Sequence, residues 1–204
     1  MSPVAHDYTG KRLLDIIGAM TALMLTSPIL VIAAIAVKLT SRGPVLYSAR
    51  RVGQHGKQIT VHKFRSMRTG VTGTNVTATN DPRITRVGRV LRGAKLDELP
   101  QFWDVLVGSM SIVGPRPEDS VYVSTYSPTE AGILDWKPGI TSPASIPFRH
   151  EEDLLAEADD LDAAYAQISA DKIALDLAYF GHATLVSDLR VIGRTVAAVF
   201  DRNP

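Results

Sequence analysis

The sequence predicts an α/β protein in a loose sense: helix-rich, with a few short strands, and with an apolar N-terminal helical segment joined to a globular domain. Three observations carry this prediction. An uncharged stretch runs from Ile16 to Val37, two strand-like patterns flank residues 53–56, and acidic, helically spaced sequence follows from Glu151. We therefore divide the chain into a flexible lead-in at 1–10, a membrane segment at 11–40, a core at 41–150, and an acidic helical region at 151–204 that packs on the core.

Charge is distributed unevenly along the 204 residues. Residues 1–149 contain 18 basic and 10 acidic side chains, whereas residues 150–204 contain 4 and 11. This polarity favours an anionic partner for the basic part, such as a nucleotide, a nucleic acid or a lipid headgroup. Cysteine is absent, which excludes disulfides, thiol catalysis and cysteine-ligated zinc.

The uncharged stretch is long enough to cross a bilayer, at about 1.5 Å per residue. Ser27-Pro28 lies in its middle, where proline removes a helical hydrogen bond and predicts a break or kink. Basic residues flank both ends, namely Lys11 and Arg12 before it and Lys38 and Arg42 after it. The positive-inside preference then favours a re-entrant helix–break–helix with both ends on the cytoplasmic side. A single kinked span stays open as the alternative on these residues alone.

Two short strands, Val45–Tyr47 and 58–62, are separated by glycines and predict a hairpin. Lys63 and Arg65 follow at a spacing that places them on one face of an extended backbone. Two cations on one face can hold a diphosphate, and a solvated surface is the alternative.

Further along the chain, a basic stripe runs from Arg83 to Lys95, and it suits anionic lipid headgroups.

The carboxylates Asp97 and Glu98 open a predicted amphipathic helix, in which Pro100 is tolerated in the first turn and Gly108 offers a stop. Near a helix N-terminus, Asp97 is expected to stay ionised, as a nucleophile or a metal ligand requires. Ordinary helix capping is the alternative. The basic residues between Arg42 and Lys95 favour a site that gathers phosphates.

A rigid turn follows at Gly114-Pro115-Arg116-Pro117, in which flanking prolines restrict one arginine. Such an arginine loses less freedom on binding, which favours bidentate contact with phosphate. A structural turn with an exposed arginine is the alternative.

In the C-terminal region, five side chains are predicted to face the core, namely Leu154, Leu155, Leu161, Tyr165 and Ile168. The last helix, 183–200, places Leu189, Ile192, Val196 and Val199 on one face, which either packs on the body or lies at a membrane interface.

Several motifs occur in a specific order: the central Ser27-Pro28, Gly43–Tyr47, Lys63–Met67, Leu96–Gln101, Ser111–Pro117 and Lys137–Thr141. Together they resemble the bacterial sugar transferases known as monotopic polyprenyl-phosphate phosphoglycosyl transferases, in a minimal catalytic form. The likeness runs from about Lys11 to Thr141 and continues weakly to the C-terminus. It implies a re-entrant membrane helix, a bacterial inner-membrane location and a catalytic domain on the cytoplasmic face.

The resemblance also implies an activity. The family transfers a sugar-1-phosphate from a UDP-sugar to undecaprenyl phosphate, with Mg²⁺ and release of UMP, through an aspartyl-phosphosugar intermediate. Carried over, Asp97 is the nucleophile and a Mg²⁺ ligand, and Glu98 orients the site or handles a proton. Lys63, Arg65 and Arg116 are phosphate clamps, with Pro115 beside Arg116 in the substrate-binding set. The implied partners are the donor, the lipid acceptor and membrane lipid, without nucleic acid.

The chain departs from the family pattern in two places. Ser48-Ala49 precedes Arg50, and Ser142–Pro147 follows Thr141, which puts the sugar or nucleoside pocket in question but not the carboxylate pair. A second hypothesis is a non-enzymatic, membrane-anchored basic module that binds anionic lipid or nucleic acid through Arg83 to Lys95. The sequence does not identify the sugar, the glycan pathway or the oligomeric state, and a homo-oligomer is compatible with it.

Overall fold

The computed structural model describes residues 8–68, 81–156 and 158–200. The prediction of a helix-rich protein with few short strands is confirmed. The helices are α1 Lys11–Thr40, α2 Arg86–Gly93, α3 Gln101–Val107, α4 Ser120–Val123, α5 Pro128–Ala131, α6 Glu151–Ala156, α7 Leu161–Phe180 and α8 Leu185–Phe200. The strands are β1 Leu46–Val52, β2 Gln58–Phe64, β3 Ser111–Val113 and β4 Gly139–Thr141. Single turns of 3₁₀ helix occupy Gln54–Gly56, Leu96–Glu98 and Gly132–Asp135.

Helix α1 continues through Pro28 as one helix of 30 residues. Because proline has no N–H, the carbonyl of Met24 loses its helical partner. The hydroxyl of Ser27 donates to that carbonyl at 2.8 Å, and the hydroxyl of Thr26 donates to Ala22 O at 2.7 Å. The residues therefore stay helical through Pro28, with a serine on the freed carbonyl, and the break or kink expected at Ser27-Pro28 stays a prediction. The re-entrant path stays a prediction.

Both ends of α1 pack on the globular part, while its middle is exposed. Asp15 and Ala19 are buried near the start and Ala33 and Val37 near the end. Between them, large apolar side chains such as Met24 are exposed. Within the described ranges, α1 is the one helix long and apolar enough to cross a membrane. Exposed apolar surface of this extent makes α1 the candidate for membrane association.

The strands form two small sheets. Strands β1 and β2 pair antiparallel, from Leu46 opposite Phe64 to Val52 opposite Gln58, which confirms the predicted hairpin with longer strands. Strands β3 and β4 pair in parallel, with Ser111 opposite Gly139 and Val113 opposite Thr141. The chain after β3 folds back beside the start of β4, where the N–H of Gly139 donates to the carbonyl of Pro115.

Two apolar clusters hold these elements together. The larger one joins α1, β2, α3, β3 and the C-terminal helices through buried residues that include Ala19, Val61, Val105, Met110 and Phe180. The smaller one joins the second half of α1 to β2 and α2 through Ala33, Val37, Phe64 and Leu91. The apolar helix is therefore packed against the globular part at both of its ends.

The C-terminal helices partly follow the sequence pattern. Leu155 is buried as predicted, but Leu154 is exposed because it lies on the outer side of the short helix α6. On α8, Val191 and Asp188 face inward, whereas Leu189, Val196 and Val199 are about half exposed. The apolar face predicted for the last helix is therefore mainly its outer face, because a buried ion-pair network occupies the inner one.

Candidate active site

The predicted carboxylate pair lies on a 3₁₀ turn just before α3. Lys95 adopts the left-handed conformation with φ 55, and Leu96–Glu98 then form the turn. Helix α3 starts at Gln101 rather than at Asp97, with Pro100 as the residue before it. It ends at Gly108 with φ 90, as predicted. Trp103 is 57% exposed, because Gln101, Asp104 and Val105 form the buried face of α3.

Glu98 is clamped by two cations at a single oxygen. The ammonium of Lys63 donates to Oε1 at 2.5 Å, and Nη2 of Arg116 donates to the same oxygen at 3.0 Å. Burial opposes ionisation of Glu98, but the charges of Arg116 and Lys63 outweigh it and hold its pKa well below the usual range. Glu98 in turn raises the pKa of Arg116. The structure thus brings together three of the predicted site residues.

Asp97 differs from its neighbour. It is only 6% exposed, and in the described part of the chain its carboxylate forms neither a hydrogen bond nor an ion pair. Burial, followed by the negative charge of Glu98, raises its pKa, while Lys63, Arg92 and Lys95 oppose the rise. A helix N-terminus was expected to keep Asp97 ionised, whereas the pKa of Asp97 is raised, because α3 begins four residues later. Both oxygens of Asp97 are available for a ligand.

A close crossing of two turns positions Arg116. A Cβ atom on Gly114 would lie 2.2 Å from the carbonyl oxygen of Lys137, and one on Gly139 would lie 2.1 Å from the Gly114 nitrogen. Only glycine fits at both positions. The N–H of Gly139 donates to the carbonyl of Pro115 at 2.9 Å, and Pro115 is buried. Pro115 therefore fixes the backbone immediately before Arg116.

A buried aspartate fixes β2 against α3. Asp104 is 1% exposed and accepts from the backbone N–H of His62 at 2.8 Å, while its other oxygen lies 2.6 Å from His62 Nδ1. Lys63, the next residue on β2, reaches Glu98 just before α3. The contact between Asp104 and His62 was not predicted from the sequence. Asp104 stands three residues after the buried Gln101, at a spacing that marks one helical face.

The second predicted clamp, Arg65, has a different partner from Lys63. Its Nη2 donates to the carbonyl and the hydroxyl of Ser41, at 2.8 and 2.7 Å, where α1 ends. Lys63 and Arg65 are thus held by different elements, although they lie two residues apart. Ser27 and Pro28 lie farther away along the chain, inside α1.

The basic stripe on α2 is partly neutralised. Arg83, which precedes α2, donates from Nε to the carboxylate of Asp81 at 2.9 Å and lowers the pKa of that carboxyl.

Gly88 lets α2 approach the end of β2, since a Cβ there would lie 2.0 Å from the Ser66 carbonyl oxygen. The helix is therefore held close to the strand that carries Lys63.

The donor set for a divalent cation is sparse. No group of three or more His, Asp or Glu side chains with metal-binding geometry occurs in the described ranges. Glu98 has one oxygen occupied by two cations, whereas both oxygens of Asp97 are unpaired in the described residues, so Asp97 is the more open of the two ligands. Mg²⁺ commonly binds one or two carboxylates together with substrate phosphates. This arrangement fits Mg²⁺ bound jointly with a phosphate ligand and does not fit a cage made of protein groups alone.

Comparison with known proteins identifies the family. Residues 6–202 match the family model described as "Bacterial sugar transferase". An exopolysaccharide production protein from Rhizobium leguminosarum bv. phaseoli is 39% identical over an alignment of 206 positions, gaps included, which covers 96% of this chain and 98% of that protein. A UDP-glucose:undecaprenyl-phosphate glucose-1-phosphate transferase from Escherichia coli (strain K12) is 41% identical over 192 residues, or 91% of this chain and 39% of that protein.

A third relative is named for a different sugar, N-acetylgalactosamine, than the glucose in the name of the Escherichia coli relative. The UDP-N-acetylgalactosamine-undecaprenyl-phosphate N-acetylgalactosaminephosphotransferase from Aeromonas hydrophila is 34% identical over 195 residues, which cover 93% of this chain and 43% of that protein. The chain thus spans nearly all of the Rhizobium protein but well under half of the other two. Because the family model covers almost the whole chain, and because the clamped carboxylate pair lies within it, the chain belongs to the bacterial sugar transferase family.

Proposed function

We propose that this chain transfers a sugar-1-phosphate from a UDP-sugar to undecaprenyl phosphate and releases UMP, through a covalent aspartyl intermediate. One observation carries the proposal: the buried, unpaired carboxylate of Asp97 lies next to Glu98, which two cations clamp. The names of relatives at 34% and 41% identity, which describe undecaprenyl-phosphate sugar phosphotransferases, support the substrate class.

In the first step, an oxygen of Asp97 attacks the phosphorus that carries the sugar. A carboxylate–phosphorus bond forms, the bond to the bridging oxygen of the diphosphate breaks, and UMP leaves with the electron pair. In the second step, a phosphate oxygen of the lipid attacks the same phosphorus, and Asp97 leaves as a carboxylate. No proton transfer is needed in either step when Asp97 and both phosphates are ionised.

Electrostatics make the first step feasible. An anionic carboxylate and an anionic diphosphate repel each other, so positive charge must lie close to both. Lys63 and Arg116 converge on Glu98 from β2 and from the turn after β3, and Arg116 is half exposed. Glu98 therefore holds both cations in place before the donor arrives. Asp97 would hold Mg²⁺ together with the donor phosphates, and the ion would supply further charge neutralisation.

The proposal includes a place in the cell. The apolar middle of α1 suits the bacterial inner membrane, and basic residues at both ends favour a catalytic domain on the cytoplasmic face. A site that meets a lipid phosphate must lie at headgroup depth. The packing of both ends of α1 on the globular part supports a re-entrant path, since it would keep both ends on one side.

Intact-protein mass spectrometry tests the covalent step. The full chain is mixed with Mg²⁺ and a panel of UDP-sugars without acceptor, and we expect a mass gain of one sugar phosphate with at least one donor. Asp97→Asn, which removes no side-chain hydrogen bond or ion pair of the described residues, should show none. Asp135→Asn makes the same chemical change at an exposed carboxylate and should keep the adduct.

Two outcomes would contradict the proposal. An adduct that persists in Asp97→Asn would remove the assigned nucleophile. Salt-sensitive binding to anionic vesicles or nucleic acid, with no turnover of any donor in the presence of undecaprenyl phosphate, would favour the non-enzymatic basic module instead.

A further inference from the structure

The most unusual charge outside the carboxylate pair is Arg65. Its side chain follows directly on β2 and is 4% exposed, which is rare for an arginine. Of its five N–H groups, the two on Nη2 face the carbonyl and hydroxyl of Ser41. Nε and Nη1 are buried and have no hydrogen-bond partner among the residues that the structure describes. Three N–H groups of a buried cation are thus unsatisfied.

No carboxylate compensates this charge. In the described part of the chain, Arg65 forms no ion pair, unlike Lys63 or Arg116. The segment 69–80, which follows shortly after it, contains no aspartate or glutamate. Burial of an unpaired charge is strongly unfavourable unless a ligand or a polar partner compensates it. The carbonyl of Ser41, at the negative end of α1, offsets only part of that cost.

The position of Arg65 relates it to two features at once. Through Ser41 it contacts the end of the apolar helix, the depth at which lipid headgroups meet a membrane-associated α1. Through the strand it lies two residues from Lys63, which binds Glu98 beside the proposed nucleophile. An anion on Arg65 would therefore lie between the membrane end of α1 and the carboxylate pair.

We propose that the unpaired N–H groups of Arg65 bind the phosphate of the lipid acceptor, separately from the donor subsite at Lys63 and Arg116. This inference rests on the proposed function for the identity of the acceptor. A phosphate monoester offers three terminal oxygens and a charge of about −1.5 to −2 at neutral pH. It matches three N–H groups on a planar guanidinium better than the singly charged diester of an ordinary phospholipid.

The test measures binding and reaction separately, with the full chain in detergent micelles. Equilibrium binding of farnesyl phosphate, a short polyprenyl monophosphate, is compared for the unaltered chain, Arg65→Met and Arg65→Lys. We expect at least tenfold weaker binding for Arg65→Met and an intermediate loss for Arg65→Lys, which keeps the charge but loses the planar donors. Ser41→Ala removes one acceptor of Arg65 without removing the cation, and should bind within about twofold of the unaltered chain.

Kinetics add a second readout. With undecaprenyl phosphate as acceptor, Arg65→Lys should raise the apparent KM for the acceptor several-fold more than that for the UDP-sugar. An equal rise in both values would place Arg65 in the donor subsite and overturn the assignment. Equal competition by phosphatidylglycerol and farnesyl phosphate would indicate a general headgroup site and overturn it as well.

Two further outcomes test the Arg65 proposal and the proposed covalent transfer separately. If Arg65→Met does not fold, farnesyl phosphate binding by Arg65→Lys equal to that of the unaltered chain overturns the proposal. If the unaltered chain binds farnesyl phosphate through Arg65 but forms no adduct with any UDP-sugar, the proposed covalent transfer fails while the phosphate site stands. The two hypotheses can therefore fail independently.

Discussion

Lys63 and Arg116 donate to the same oxygen of Glu98, although they come from the strand β2 and from the turn after β3. One carboxylate thus joins two parts of the fold at the point where a diphosphate must be neutralised. Asp97, its chain neighbour, keeps both oxygens unpaired in the described part of the chain. The environments of the two adjacent carboxylates push their pKa values in opposite directions, which is consistent with the different roles that we propose for them.

The first prediction concerns Glu98→Gln. The amide keeps the shape of Glu98 but removes the charge that holds Lys63 and Arg116, so these cations lose their fixed positions. We expect kcat to fall by about 10² or more, because misplaced electrostatic groups cost this order of magnitude, while KM for the UDP-sugar does not rise. Steady-state kinetics measure both constants. A rise in donor KM with unchanged kcat would show that Glu98 acts in donor binding instead.

The second prediction concerns the crossing of the two glycine turns. Gly114→Ala would place a methyl group 2.2 Å from the carbonyl of Lys137, so the strands β3 and β4 must separate and Arg116 must move. We expect loss of most activity and a lower unfolding temperature. Gly193→Ala is the matched control on α8, since no atom lies within 4 Å of the position that its methyl group would take, and alanine favours a helix interior. It should be neutral or slightly stabilising, and an equally active Gly114→Ala would contradict the role of the crossing.

The sequence predicted the hairpin, the helix after the carboxylate pair and its end at Gly108, because glycine and helical periodicity are local signals. It did not predict that Asp104 would bind His62, or that Arg65 would turn to Ser41. Those contacts join elements that are 42 and 24 residues apart. Spacing along one strand placed Lys63 and Arg65 on a common face, but their partners depend on how α1 and the Glu98 turn pack around that strand. The start of α3 also shifted, since local pattern does not distinguish a 3₁₀ turn from the first turn of an α-helix.

The third prediction is a pH dependence of stability through Asp176 on α7. Burial raises its pKa to about 6, although it accepts from the backbone N–H of Ala144. Because the folded pKa exceeds the unfolded value near 3.8, this group favours folding at low pH, and its contribution is lost as pH rises through about 6. Asp176→Asn should therefore stabilise the fold more at pH 8 than at pH 5, by about 1 kcal/mol.

Thermal or chemical unfolding at the two pH values measures this difference. Asp171→Asn on the same helix is the control, because Asp171 is exposed and its replacement should shift stability equally at both pH values. A benefit of Asp176→Asn that is larger at pH 5 than at pH 8 would show that the carboxylate is stabilised by ionisation, contrary to its buried position.

The last prediction concerns the link between the first and the last helix. Lys11 donates to Asp188 at 2.6 Å and to the carbonyl of Val113 at 2.9 Å, and both Lys11 and Asp188 are buried. Lys11→Met leaves Asp188 as a buried charge whose remaining side-chain hydrogen bonds, among the described residues, come from the hydroxyls of Tyr8 and Tyr179. Loss of one partner of a buried pair costs about 3–5 kcal/mol, so we expect a large fall in unfolding temperature.

Two further variants separate this ion pair from general effects of charge at the ends of α1. Lys38→Met removes an exposed lysine at the other end of the helix and should leave the unfolding temperature nearly unchanged. The double variant Lys11→Met with Asp188→Asn removes both charges of this pair, and should recover part of the loss because one of the two buried carboxylates beside Lys11, Asp188 and Asp15, no longer lacks its cation. If the double variant is less stable than the sum of the single variants predicts, the two side chains do not act as a pair, and α1 must be held on the globular part mainly by its apolar contacts.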